Sequence, residues 1–284
     1  MPHPATEMEA PGGTVTPHVR RLLDFAELSP EDVCLDVARG SGPMPAALGP
    51  QVSQVTAVDA APGPAARLDD RGRATTVEFG TGPVRIADDP GAQNLRRAAV
   101  RRGNPDAVPA VAQPQRGHAP DSIRIRAEAT ALPYRDDTFS LVTTRFSLYS
   151  LGDPERVLRE LLRVCKPGGR LIIADVVRTN LAGSDRDWIE RLRDPAHPGI
   201  FSIAGLTELI TGSGANVRRL DVFTVERPVE PWLAGAASLG AAAQIRQALT
   251  DEVDGGPKTG AKPRIIGGEL WFTQNWAHVA AEPI

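Results

Sequence analysis

An apolar run, a glycine turn, a short helix and a second run ending on an acid stand near the start of this chain, and few folds accept that succession. Asp32-Val33-Cys34-Leu35-Asp36-Val37 reads as a buried strand, and Ala38-Arg39-Gly40-Ser41-Gly42 as the turn. A short apolar helix runs through Leu48, and Val52 to Val58 forms a second β-branched run closed by Asp59. This is the opening of a nucleotide-binding α/β sheet. Glycine without a Cβ lets the backbone come close to a ligand, and a carboxylate at a strand end can accept from both hydroxyls of a ribose. Singly, Gly40 and Gly42 read equally well as ordinary turn residues, and Asp59 as a helix cap. Together, about 20 residues apart in a β-α-β context, they point to an adenosine-binding site. The series Ala38, Gly40, Gly42, with Pro45 where a further small residue would sit, departs from the three-glycine dinucleotide fingerprint and counts against a pyrophosphate.

The rest of the chain keeps the alternation, with one interruption. Residues 1–15 are Pro/Gly-rich and read as a loose tail. Val19, Leu22, Leu23 and Leu28 predict a short amphipathic helix. Residues 60–122, dense in Pro, Gly, Ala and Arg, break the rhythm and read as an insertion, either a mobile loop or an ordered lid. Weak strand signals fall at Thr75–Phe79 and Val84–Ile86, and a helix signal near Gln93–Arg102. Strands are expected at Ile123–Ala127, Phe139–Thr144 and Arg170–Val177. A helix starting at Asp153-Pro154 is stopped by Lys166-Pro167-Gly168-Gly169. The last third reads helix (Asp185–Arg193), helix (Ser202–Thr211), strand (Val217–Val225), helix (Pro231–Leu249) and strand (Glu269–Ala280). One domain over 16–284 is expected.

Composition narrows the classes. Hydrophobic residues make up 41% and charged residues 24%, enough for a packed core. A net charge of -3 supplies no basic field for nucleic acid, and the cluster Arg96, Arg97, Arg101, Arg102 reads as a solvated helix face. Cys34 and Cys165 lack metal-ligand spacing and read as buried core residues, so no metal site is expected. No signal-peptide pattern and no membrane-length apolar run is present, which predicts a cytoplasmic protein without a membrane partner.

Four segments then carry a resemblance to the class I methyltransferases related to the ubiquinone/menaquinone-biosynthesis enzymes. Leu35-Asp36-Val37-Ala38-Arg39-Gly40-Ser41-Gly42 looks like that family's first motif, and Val55-Thr56-Ala57-Val58-Asp59 resembles its acid-ended second strand. Ala127 to Tyr134, followed by Asp137-Thr138-Phe139-Ser140, resembles the adenine-side motif and fourth strand. Arg163 to Leu171 is similar to the helix-to-strand-five joint. The resemblance implies an α/β, Rossmann-like, doubly wound seven-stranded sheet with its last strand antiparallel and helices on both faces. It implies S-adenosylmethionine as cofactor. Asp36 would lie near the methionine end, with the backbone at Ala38, Gly40 and Gly42 lining it. Asp59 would hold the ribose, and Glu128 (where the family usually has Asp) would meet the adenine edge with Ala129. Arg145 and Phe146 would face the cofactor and acceptor pocket.

Methyl transfer is an in-line displacement that depends mostly on positioning, and a base matters only for an unionised acceptor. Tyr149 and Ser150 stand where relatives often carry histidines. His197 is the remaining candidate base, equally readable as a capping or packing histidine. Tyr149 reads as either pocket wall or core. His18 and His118 are expected in solvent. Trp271 and Trp276 are expected in the core, and Trp188 or Trp232 could shape an apolar acceptor pocket. The expected activity is methyl transfer to an O, C or N atom of a small molecule, with a homodimer left open. The rivals are a methyltransferase-fold cyclase or rearrangement enzyme, a non-catalytic binding protein, and an NAD-linked oxidoreductase.

Overall fold

The computed structural model describes residues 15–38, 43–60, 66–68, 74–76, 123–178 and 186–284. Gly40, Gly42, His118, the Arg96–Arg102 cluster and the signals at 84–86 and 93–102 lie outside them. The expected tail at 1–15 does too, apart from its last residue.

The sheet is doubly wound, as the family resemblance implies. Its parallel part is built from β1 (Val33–Ala38), β2 (Gln54–Asp59), β5 (Ile123–Arg126), β6 (Phe139–Arg145) and β7 (Cys165–Arg178), in the spatial order β5-β2-β1-β6-β7. The final strand β11 (Glu269–Pro283) then runs antiparallel along β7, and β9 (Ala215–Pro228) pairs antiparallel with its far side. That is the expected seven-strand run with an antiparallel last strand. Two short strands add to it: β8 (Phe201–Ser202) beside β7, and β10 (Arg264–Ile266) in a hairpin with β11. Within the segment at 60–122, β3 (Ala66–Leu68) and β4 (Ala74–Thr76) pair antiparallel.

Helices cover both faces because the central strands are apolar on both. On one face α1 (Pro17–Ala26) and α2 (Met44–Leu48) bury Val19, Leu22, Leu23, Met44 and Leu48 against Cys34, Leu141 and Ile172. On the other, α3 (Pro154–Val164) and α5 (Ile203–Gly212) bury Leu158, Leu161, Leu206 and Ile210 against Leu35, Val142 and Ile173. The predicted start of α3 is realised in full: the Asp153 carboxylate accepts from the backbone N–H of Glu155 (3.0 Å) and Arg156 (3.2 Å), and Pro154 occupies the first turn.

The joint after α3 needs both of its glycines for different reasons. Gly168 has a φ of +73°, and a Cβ on Gly169 would lie 2.9 Å from the carbonyls of Lys166 and Ser140.

A third cluster caps the carboxyl edge of the sheet. It comprises α4 (Arg186–Arg193), α6 (Val229–Leu233) and α7 (Leu239–Val253), which pack Ile189, Trp232, Ile245 and Leu249 on Phe272. The single helix expected at 231–249 is in fact two. The chain turns between them, and the Ser238 hydroxyl caps α7 by accepting from the Ala241 N–H at 3.1 Å.

Candidate functional site

The parallel strands end together, and the order β5-β2-β1-β6-β7 reverses direction between β1 and β6. In doubly wound sheets that switch point, at the carboxyl edge, is where ligands bind. Side by side along this edge the structure brings Ala38, which pairs with Asp59, and Asp59, which pairs with Arg126 at the end of β5. Ala60 N–H donates to the Ala38 carbonyl at 2.9 Å, fixing the two strand ends together. Just beyond β5, Glu128 is exposed and Ala129 is buried. Across the switch point the Thr143 hydroxyl donates to Asp36 Oδ1 at 2.6 Å, tying β1 to β6.

At the end of β6, Arg145 and Phe146 turn the chain. Phe146 has a φ of 49°, a left-handed conformation that a bulky side chain avoids. Its N–H donates to Ala174 O at 2.8 Å, and its ring meets Trp276 edge-on at 4.5 Å. The Arg145 guanidinium lies 4.5 Å over the Phe146 ring and is only 5% exposed. Neither Nη1 nor Nη2 has a hydrogen-bond partner among the described residues. Burial pulls the group down to about 10, with Asp36 acting upward and Arg227 downward, so it remains cationic at neutral pH.

A pocket opens on the far side of β6. Its walls include Phe146, Tyr149, Asp175, His197, Ile200 and Trp232. Tyr149 and His197, both half-buried, stack with ring centroids 4.6 Å apart. His197 Nδ1 accepts from the Gly199 N–H at 3.0 Å, and burial lowers the pKa of the ring. The favoured state is therefore neutral with the proton on Nε2. Arg193 Nε ties the α4 roof to α6 by donating to Trp232 O at 3.1 Å, and within α4 a buried Arg186–Glu190 pair at 2.8 Å joins successive turns.

Asp175 was not among the residues expected at the site. It lies in β7, 4% exposed, in a run otherwise apolar from Leu171 to Val177. Oδ1 accepts from the Val176 N–H at 2.8 Å, while Oδ2 has no hydrogen-bond partner among the described residues. Burial pushes this carboxyl up to about 7 against the pull of backbone N–H groups at Val176 and Leu148. A lone carboxylate inside an apolar strand is the signal that could have found it.

Several aromatic expectations are corrected. Trp232 lines the pocket, but Trp188 does not. It is 44% exposed and borders a separate hollow with Ala248, Pro257 and Lys258. Trp276 is in the core, whereas Trp271 is only half-buried. His18 is not free in solvent: it packs on Trp276 with ring centroids 5.0 Å apart, because α1 lies across this end of the sheet. Among the described residues no cluster of His, Cys, Asp and Glu could hold a metal ion, and no helix is long and apolar enough to cross a membrane.

The sheet order and the edge of acids, small residues and a buried arginine define a class I methyltransferase domain, the S-adenosylmethionine type. A family profile described as "Methyltransferase domain" matches residues 14–220, and the chain belongs to that family. It is similar to the demethylmenaquinone methyltransferase of Renibacterium salmoninarum, 46% identical over 56 residues, which cover 20% of this chain and 24% of that protein. It is also similar to the ubiquinone/menaquinone biosynthesis C-methyltransferase of Klebsiella pneumoniae, 45% identical over 51 residues, 18% of this chain and 20% of the other. These matches thus span a quarter or less of the relatives' length. The fold matches that of the YcgJ protein from Bacillus subtilis, with a TM-score of 0.62 and 17% identity over 93% of this chain and 97% of that one.

The residues present fit an S-adenosylmethionine-sized cofactor. A buried cation with two open donors beside an acid, at a switch point, is an arrangement that a ligand carrying both charges would complete.

Proposed function

We propose that this protein transfers a methyl group to an O, C or N atom of a small molecule bound in the Tyr149–His197–Trp232 pocket. The observation that carries this is the adjacency of two half-sites, an acid-lined edge over β1, β2 and β5 and an aromatic pocket over β7, with Arg145 and Phe146 between them. S-adenosylmethionine, when bound, supplies the methyl group.

The chain's own residues divide the remaining work. Asp59 is suited to the ribose hydroxyls, and Glu128 and Ala129 to the adenine edge, with Asp36 and Ala38 at the methionine end. Trp232 and the stacked Tyr149–His197 pair orient a flat or apolar acceptor and keep water from it. With its proton on Nε2, His197 acts as a hydrogen-bond donor to the acceptor. Oδ2 of Asp175, unbonded among the described residues, is the group suited to take a proton from a hydroxyl or carbon acid.

Incubation with methyl-labelled S-adenosylmethionine and a metabolite panel or cell extract tests the proposal. Label should appear in an extractable product together with an equal amount of S-adenosylhomocysteine. Cofactor binding with no S-adenosylhomocysteine formed would overturn it and favour a non-methylating reaction.

A further inference from the structure

Asp175 lies where the two half-sites meet. Arg145 at the end of β6 pairs with Ala174, and the Phe146 N–H donates to the Ala174 carbonyl; Asp175 is the next residue of β7 and a wall of the pocket. Its partner across the sheet on β11 is Ala277, which is fully buried. Oδ2 is buried and unbonded among the described residues. The influences on this carboxyl are burial and the N–H groups of Val176 and Leu148, with no cation among them. Of the other ionisable walls, Glu190 is paired with Arg186 at 2.8 Å, and Arg193 donates from Nε to Trp232 O at 3.1 Å. Burial lowers the pKa of His197 and pushes the Tyr149 hydroxyl up to about 12, so both are neutral at pH 7.

A buried carboxyl without a counter-charge is completed by a ligand that brings one. It also sorts the acceptor atoms by the proton each must lose. A phenol, with an ordinary pKa of about 10, would exchange one buried anion for another, uphill from a carboxyl at about 7. Aliphatic hydroxyls are weaker acids still. An alkylammonium starts from about 10.4, but passing its proton to a carboxylate turns two buried charges into two neutral groups, which burial favours on both sides. We infer that the acceptor atom is an amine nitrogen, and that Asp175 binds it as the ammonium through Oδ2 and takes one of its protons. The nitrogen lone pair so released forms the bond to the methyl carbon as the carbon–sulfur bond breaks, and the electron pair of that bond stays on sulfur. The nitrogen takes on the positive charge that the sulfonium loses, and the Asp175 proton passes to water when the product departs. This rests on the methyl-transfer reading above and adds the class of acceptor.

Incubation of the full chain and a cell extract with S-adenosylmethionine carrying carbon-13 in its methyl group tests it, because carbon-13 spectra separate methyl carbons on nitrogen, oxygen and carbon. Beyond what the extract forms alone, the label should appear on nitrogen. Label on oxygen or carbon instead would overturn the inference and leave methyl transfer standing. No added label in any product would overturn the methyl-transfer reading, and the inference with it. With the labelled amine's precursor as substrate, Asp175→Asn should lower kcat by about 100-fold or more, the scale of a lost base, and keep S-adenosylhomocysteine binding within about twofold. It should also lose the fall in rate that the parent shows as pH drops through 7. Asp175→Glu, which keeps the carboxyl, should recover part of the rate, and it carries the test if the Asn variant does not fold. An Asn variant with the parent's rate and pH profile, or a Glu variant with no dependence on pH near 7, would overturn the inference.

Discussion

Phe146 is held at a φ of 49°, which costs on the order of 1–3 kcal/mol, and it lies between the two half-sites. That conformation aims its backbone at β7 and its ring at Trp276, so the strain positions the groups around it. Sequence shows Phe146 only as a residue leaving a strand, since φ depends on tertiary contacts. The strand-end position of Asp59 was legible because an acid closes the apolar run at 52–58, whereas Asp36, inside β1, was singled out only by the family resemblance. Asp175 was not legible, because periodicity alone marks it as one more position in a buried strand. Two predictions belong here. Asp59→Ala should weaken S-adenosylhomocysteine binding by about tenfold or more, each hydrogen bond to a charged group contributing about 1.5–3 kcal/mol, as read by calorimetry; unchanged affinity removes Asp59 from the site. For Asp175 the folded pKa of about 7 lies above the ordinary value of 3.8. The fold therefore favours its neutral form, and that stabilisation is complete below the ordinary carboxylate range and lost as pH rises through 7. Asp175→Asn removes this dependence, so the difference in Tm between variant and parent should shift in the variant's favour between pH 5 and pH 8. A difference that does not change with pH would mean the carboxyl is not buried as described.

At the scale of elements, the start of β1 is fastened by one acid. Asp32 Oδ2 meets Arg170 at 2.6 Å and the Ser29 N–H at 2.8 Å, and Asp32 Oδ1 accepts from the Ser140 hydroxyl at 2.7 Å. Burial alone would raise this carboxyl, but those hydrogen bonds outweigh it and hold it below the usual range. Its contribution is thus present above the ordinary carboxylate pKa and is lost as pH falls through the lower folded value. Asp32→Ala removes the counter-charge of Arg170, leaving it the Ala26 and Glu27 carbonyls, and should lower stability by about 3 kcal/mol, read by urea unfolding at pH 7; a loss under about 1 kcal/mol would show the pair to behave as a surface bridge. The glycine joint and the Asp153 cap were legible because each is a local device confined to a few adjacent residues. The break between α6 and α7 was harder to see, its signals being Gly235 and Ser238 within a run rich in alanine. The α4 roof shows the same limit. Its helix is evident from periodicity, yet nothing in the sequence says that Arg186 and Glu190 pair in its buried face.

For the whole molecule, the alternation of strands and helices made an α/β sheet readable from sequence, while its seven strands and antiparallel last strand came from the family resemblance, because the spatial order of strands depends on contacts between distant parts of the chain. The switch point lies between β1 and β6 in the observed order. The pocket proposed for the acceptor was less legible because its walls come from distant parts of the chain: Tyr149 after β6, His197 after α4 and Trp232 in α6. The central claim is that the edge over β1 and β2 takes an S-adenosyl nucleoside. Thermal unfolding with saturating S-adenosylhomocysteine, beside NAD and NADP, tests it most directly. A ligand at 100 times its Kd stabilises by about 2.7 kcal/mol. A Tm raised by several degrees with S-adenosylhomocysteine and unmoved by either dinucleotide is the predicted result. Stabilisation by the dinucleotides alone would contradict it.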